Sequence, residues 1–202
     1  TGTPVYEHHD ALIDLDGGYI VPAFIDLQLY GGHRQLFGEH PSVEALKATW
    51  QYSMEGGATN ILPTVATNAP EIMHAAIEAV RDYQQQGLPG VIGLHLEGPF
   101  INPVRRGAHI PEFIRRPSLQ DVEVLMKAGK GIVKMMTLAP EVCPPEVIHY
   151  LQQHGVIVSA GHSNATFEEA TQAFDNGINV ATHLFNAMSP MLHRAPGLAG
   201  AI

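Results

Sequence analysis

The sequence predicts an α/β protein of the (β/α)8 TIM-type barrel kind, represented by about six strand-helix units, and three observations carry that prediction. Short apolar runs alternate with amphipathic helical segments from Ile20 onward, the rhythm that builds a parallel sheet covered by helices. Polar residues with chemistry stand at the ends of the first, third, fifth and sixth runs. A barrel draws its site from many strand ends, whereas a doubly wound sheet gathers its ligand at one reversal of strand order. Finally, the 202 residues fall short of the roughly 250 that eight units usually take. The expectation is an incomplete barrel over residues 20–202, two units short, with open edge strands and apolar interior.

Taken in order, Thr1 to Tyr19 is polar and turn-rich, with alternation from Ala11 to Asp16 and a Gly17-Gly18 turn. It predicts one or two short strands, the remnant of a small β domain over residues 1–19. Phe24 to Tyr30 is the first barrel strand. Ser42 caps a helix to about Met54, and Gly56-Gly57 ends it, because glycine enters turn conformations without strain. Ala58 to Val65 is the second strand, and Pro70 to Gln86 a helix with Ile72, Met73, Ala76, Ile77 and Val80 on one face. The third strand, Gly90 to Gly98, is almost continuously apolar at its centre, as a strand covered on both faces should be. An irregular stretch, Pro99 to Pro117, precedes a helix capped by Ser118. Ile132 to Leu138 is the fourth strand, Pro145 to His154 a helix, and Val156 to Ala160 the fifth strand. Thr166 and Glu169 stand in capping-box spacing before a helix closed by Asn176-Gly177, and Asn179 to Leu184 is the sixth strand.

Composition narrows the function. Hydrophobic residues make up 45% of the chain and charged ones 15%, far from the signature of disorder. The net charge of -9, from 11 basic against 20 acidic residues, argues against a nucleic-acid partner, which needs a basic face. The single Cys143, between Val142 and Pro144, excludes an intrachain disulfide and a thiolate-rich zinc site and reads as an inert thiol. No apolar run reaches the roughly 18 residues of a membrane span, and no leader pattern opens the sequence, so a cytoplasmic protein without a membrane partner is expected. The first residue is Thr rather than Met, which reads as part of a longer translation product.

Three strand ends carry the chemistry. The third strand closes on His95-Leu96-Glu97-Gly98-Pro99-Phe100, the fifth on Gly161-His162-Ser163, and the sixth on Thr182-His183-Leu184-Phe185-Asn186. An ionised glutamate leaving an apolar strand is costly unless paired or bound to a metal. One carboxylate and two imidazoles on one barrel rim match the two-histidine, one-glutamate set of catalytic zinc, with a position left for water. The spacing by itself leaves metal ligation beside a plain ion pair with an arginine and hydrogen-bonded histidines.

The segments Pro22 to Asp26, His95 to Phe100, Gly107-Ala108-His109, Gly161-His162-Ser163, Thr182 to Met188 and Pro196 to Gly200 together resemble the N-acetylglucosamine-6-phosphate deacetylase family of the amidohydrolase superfamily. They follow the family's order over nearly the whole chain, and the HLEGPF and THLFNAM runs are its most specific part. The resemblance implies that Glu97, His162 and His183 ligate one divalent metal per subunit, zinc before iron, cobalt or manganese. It implies that His109 contacts the sugar and polarises the acetyl carbonyl, that Asn186 and Ala187 line the substrate, and that Arg194 grips the 6-phosphate. It also implies a homodimer in which the neighbouring subunit adds a phosphate contact. Where many amidohydrolases carry His-x-His for a second metal, this chain has Gln28-Leu29-Tyr30, which fits a single ion. The family's proton-transferring aspartate belongs to a later strand and has no counterpart here: Asp175 falls in the helix after the fifth strand, and Asp26 is expected near the barrel mouth. Two other readings stand beside deacetylation of N-acetylglucosamine 6-phosphate to glucosamine 6-phosphate and acetate. One is another metal amidohydrolase, a deaminase or cyclic-amide hydrolase; the other is a non-catalytic phosphosugar-binding protein.

Overall fold

Six parallel strands lie side by side in chain order in a computed structural model that describes residues 13–202. They are β1 (Phe24–Leu29), β4 (Ala58–Ala66), β5 (Leu94–Glu97), β6 (Val133–Leu138), β7 (Ile157–Ala160) and β8 (Val180–Ala181). The order never reverses, so the sheet curls in one direction into a half-barrel, and the doubly wound alternative falls away. Between β1 and β4 sits a hairpin of β2 (Gly31–Gly32) and β3 (Gln35–Leu36), which the sequence does not signal. The expected strands of residues 1–19 lie largely outside the described residues; from Ile13 to Tyr19 the chain makes a turn at Asp16-Gly17 and no strand.

The crossover helices are α1 (Val43–Glu55), α2 (Pro70–Gln85), α3 (Leu119–Ala128), α4 (Pro145–Gln153) and α5 (Phe167–Asp175). Their starts follow local chemistry. The Ser42 hydroxyl accepts the Ala45 N–H, and Pro70 and Pro145 open α2 and α4, where a missing N–H costs nothing. Full capping boxes form at Ser118 with Asp121 and at Thr166 with Glu169.

Strand alternation sorts the side chains into two layers. Leu94, Leu96, Met136, Leu138, Val158 and Ala160 face the helices and are buried with Met73, Ile77, Val80, Val122, Val147 and Leu151. The other face lines the inside of the curl; Leu62 and Met135 are buried on it, and polar residues take over toward the carboxyl ends of the strands. Thr64, His95, Glu97, Thr137 and Ser159 are all buried there. His95 donates from Nδ1 to the Leu27 carbonyl (2.9 Å) and meets the Thr137 hydroxyl through Nε2 (2.8 Å). Thr137 continues to Thr182 (2.9 Å) and Thr182 to Ser159 (2.7 Å). This chain of hydroxyls satisfies its members without charge, and desolvation lowers the His95 pKa to about 4, which keeps the ring neutral.

At its edges the sheet is open, as expected of an incomplete barrel. Phe24, Ile25 and Leu27 of β1 are exposed, as are Leu184 and Phe185 beyond β8. Two strands are shorter than their sequence pattern. In place of Gly90 to Gly98, regular pairing starts at Leu94, and Val91 makes only an isolated bridge to Ile61. In place of Asn179 to Leu184, β8 stops at Ala181, because His183 turns out of the sheet with φ of +58°.

Candidate metal centre

Glu97 is the last residue of β5, level with Ala66 of β4 and Thr137 of β6. Gly98 follows with φ of +85°, and a Cβ there would lie 2.1 Å from the Thr67 hydroxyl. The glycine in the HLEGPF run is therefore dictated twice, by the left-handed turn out of the strand and by the close approach of Thr67. His162 and His183 follow the ends of β7 and β8, and both adopt left-handed conformations, with φ of +48° and +58°. Such values in non-glycine residues are strained and persist only when the surroundings fix them.

The three strand ends bring their side chains to one point. Glu97 Oε1 lies 3.0 Å from Nε2 of His162 and 2.9 Å from Nε2 of His183, and also accepts from the Gln28 amide at 2.9 Å. Oε2 accepts from the Tyr30 hydroxyl at 2.5 Å and faces Nε2 of His109 at 3.5 Å. Burial alone would raise the Glu97 carboxyl. The hydrogen-bonding contacts of His109, His162 and Tyr30 with its oxygens outweigh it and hold the group well below the usual carboxylate range. Burial and the neighbouring carboxylate push the Tyr30 phenol up, so it stays a neutral donor.

Which histidines could hold a cation follows from what their other nitrogens do. Nδ1 of His162 donates to the Arg105 carbonyl at 2.9 Å. In the neutral ring Nε2 then carries a lone pair, aimed at a carboxylate oxygen. Two acceptors face to face call for a proton or cation between them, and a histidine whose far nitrogen is fixed by a carbonyl is the usual form of a metal ligand. His109 is built the other way round. The Thr67 backbone N–H donates to its Nδ1 at 3.1 Å, and the Thr67 hydroxyl lies 2.7 Å from the same atom. A backbone amide can only donate, so Nδ1 accepts and Nε2 of the neutral ring bears the proton. Glu97, His109 and His162 lie close enough together to hold an ion, but the Thr67 amide disfavours His109 and leaves His183 as the better third donor. A Glu/His cluster able to hold a metal is thus present; His109 is a proton-bearing neighbour.

The remaining expected residues are less concentrated. Asn186 and Ala187 lie on the loop that carries His183, where Ala187 has φ of +47° and its carbonyl accepts the Ser163 N–H. Arg194 is exposed and lines a cavity with Asn164, Thr166 and Pro196, distinct from the cavity of about 310 Å³ beside Tyr30, Thr67 and His109. Asp26 is not at the barrel mouth; it lines a surface hollow with Tyr52, Ser53 and Ala58, at the opposite end of the strands. Asp175 ends α5, roughly 13 Å along the helix from the rim where α5 begins. Cys143 is buried, which pushes its thiol pKa up and matches the inert reading. Thr67 and Glu141, which hold the site from behind, escape sequence reasoning. The one hint for Glu141 is its place: an acid just after a strand whose carboxyl end faces the same rim.

The chain matches the sequence profile described as Amidohydrolase family over residues 19–200. It is 41% identical over 199 residues to N-acetylglucosamine-6-phosphate deacetylase of Danio rerio, covering 95% of this chain and 49% of the relative. Identity to N-acetylgalactosamine-6-phosphate deacetylase of Shewanella sp. (strain ANA-3) is 39% over 187 residues, 93% of this chain and 47% of the relative. The crystal structure of N-acetylglucosamine-6-phosphate deacetylase from Pasteurella multocida superposes with a TM-score of 0.83 at 39% identity, over 89% of this chain and 47% of that one. The chain thus spans about half the length of the relatives it matches. No helix of the described residues is long and apolar enough to cross a membrane.

Proposed function

The chain belongs to the amidohydrolase family, and from that premise we propose that the whole protein is a metal-dependent deacetylase acting on N-acetylglucosamine 6-phosphate, releasing acetate and glucosamine 6-phosphate. The observation that carries this reading is the pairing at Glu97 of two kinds of histidine. His162 and His183 present Nε2 to its Oε1, while His109 presents a proton on Nε2 beside Oε2. Glu97, His162 and His183 would hold one divalent ion, zinc by its preference for this donor set. Such an ion supplies an acidified water and polarises a carbonyl.

The chain's own residues do the rest. The His109 Nε2–H, fixed by the Thr67 amide, donates toward an acyl oxygen, and such a donor counts most where negative charge develops. Gln28 and Tyr30 occupy the outer lone pairs of Glu97 and so disfavour a second ion beside it. Arg194 supplies a charge-assisted contact for the 6-phosphate, and Asn186 and Ala187 would line the sugar. A homodimer whose neighbouring subunit adds a phosphate contact extends the reading; the exposed Leu184, Phe185, Met191 and Leu192 on either side of Asn186 give apolar surface for it. The attacking water's proton needs an acceptor, which the family resemblance assigns to an aspartate of a later strand.

A second reading differs at one carbon: the Shewanella relative is named for the galactosamine epimer. Acetate release from the two N-acetylhexosamine 6-phosphates and from unphosphorylated N-acetylglucosamine separates these readings, with metal content measured in the same samples. The expected result is one bound divalent ion, turnover of the gluco epimer above the galacto one, and a higher KM for the unphosphorylated sugar and for Arg194→Ala. Full activity in metal-free protein, or no acetate from either phosphorylated sugar, would sink the proposal.

A further inference from the structure

We propose that Glu141, just past the end of β6, a strand that offers no metal ligand between the two that do, is the positioning residue that sets the geometry of His162. It lies in the short 3-10 turn Pro140–Val142 after β6, between the strand ends that carry Glu97 and His162. Its two oxygens receive three donors. Oε1 accepts the Asn102 side-chain amide at 3.0 Å and the Asn164 backbone N–H at 2.6 Å; Oε2 accepts the Ser163 hydroxyl at 2.7 Å. Asn102 belongs to the loop after Glu97, and Ser163 and Asn164 directly follow His162. The carboxylate therefore joins the two ligand-bearing loops from behind.

The contact is organised for position rather than for charge. None of the ion pairs among the described residues involves Glu141. Around it the same two loops are laced by the Asn102 N–H to the His162 carbonyl (2.9 Å), His162 Nδ1–H to the Arg105 carbonyl (2.9 Å), and Arg105 Nε–H to Asn164 Oδ1 (2.9 Å). Ser163 Oγ, while donating to Glu141, accepts the Ala165 N–H at 3.1 Å. What these bonds hold is an unfavourable conformation: His162 sits at φ of +48°, which relaxes unless its neighbours oppose it. Without Glu141, Ser163 and Asn164 lose their fixed acceptor, and only the bonds to Asn102 and Arg105 are left to keep the His162 Nε2 aimed at Glu97.

This inference rests on the metal reading of Glu97, His162 and His183, and the test separates the two. Co²⁺ is titrated into the full-length metal-free protein and its Glu141→Ala, Glu141→Gln and Ser163→Ala variants, following the visible band of the bound ion. Loss of an outer-shell partner weakens metal binding about 10–100-fold, and that range is expected for Glu141→Ala together with an altered band. Glu141→Gln keeps one carbonyl acceptor and should recover part of both; Ser163→Ala removes one of the three bonds and should fall between wild type and Glu141→Ala. A residue that merely supported the fold would move thermal stability but not the band of the correctly folded fraction. Stoichiometric binding by wild type with Glu141→Ala and Ser163→Ala both within twofold of it, and their bands unchanged, would overturn the inference alone. Failure of wild type to bind would overturn the metal reading and this inference with it. Should Glu141→Ala not fold, Ser163→Ala carries the same decision.

Discussion

His162 and His183 leave neighbouring strands in the same left-handed conformation and reach the same oxygen of Glu97, yet their surroundings differ. The His162 side chain is 5% exposed and hydrogen-bonded at both nitrogens, on a loop fixed by Glu141, Asn102 and Arg105. The His183 side chain is 27% exposed, its one side-chain hydrogen bond among the described residues is to Glu97, and Leu184, Phe185 and Asn186 beyond it face solvent. One proposed ligand is built into a closed network and the other stands at the edge strand of the sheet. Preorganisation of a metal site need not be shared equally among its ligands: a rigid pair can hold the ion's place while a third completes it.

Replacing either histidine by alanine tests that asymmetry and is the largest effect expected. Both His162→Ala and His183→Ala should lose stoichiometric metal, a drop beyond the roughly 10–100-fold of an outer-shell partner. They should part in the metal-free protein. His162→Ala strips the part-buried Arg105 carbonyl of its donor and Glu97 of a buried neighbour, at about 1–3 kcal/mol, so its thermal midpoint should fall. His183→Ala, on an open loop, should leave that midpoint near wild type. Equal shifts in the two variants would break the comparison.

His109 supplies the next effect. Its Nδ1 accepts the Thr67 amide, so the ring is a donor at the site. His109→Ala should lower kcat about 10²–10³-fold, the usual cost of one donor aimed at a developing oxyanion, while the metal content of the purified protein stays at one ion. Loss of the ion would instead make His109 a ligand and displace His183 from that role.

Much of this centre is legible in the sequence because it is local. Ser42, Ser118 and Thr166 cap their helices within three residues of themselves, and apolar runs ending in Glu97, His162 and His183 mark one rim. What is not legible is made across the chain. Thr67 reaches His109 over a separation of 42 residues, and Glu141 reaches Asn102 over 39 and Ser163 over 22; neither has a neighbour in sequence that betrays its role. The β2–β3 hairpin is hidden for another reason: its turn places His33 and Arg34 at φ of +46° and +65°, where glycine or asparagine would have signalled it. The early end of β8 likewise follows from the turn at His183, a backbone choice that the apolar pattern of Asn179 to Leu184 does not report.

The smallest effect isolates the Glu141 network from the helix that follows it. Thr166 opens α5 four residues after His162; its hydroxyl accepts the Glu169 N–H at 3.2 Å, and the Glu169 carboxylate accepts the Thr166 N–H at 2.8 Å. Thr166→Ala should cost about 1 kcal/mol of stability, the ordinary worth of such a cap, read as a lower denaturation midpoint at unchanged slope. Metal affinity should stay within twofold, because the bonds that shape the His162 loop end at Ser163 and Asn164, upstream of the cap. If affinity instead fell with stability, the start of α5 would be setting the ligand loop, and the rigid half of the site would extend into the helix rather than stop at the carboxylate behind it.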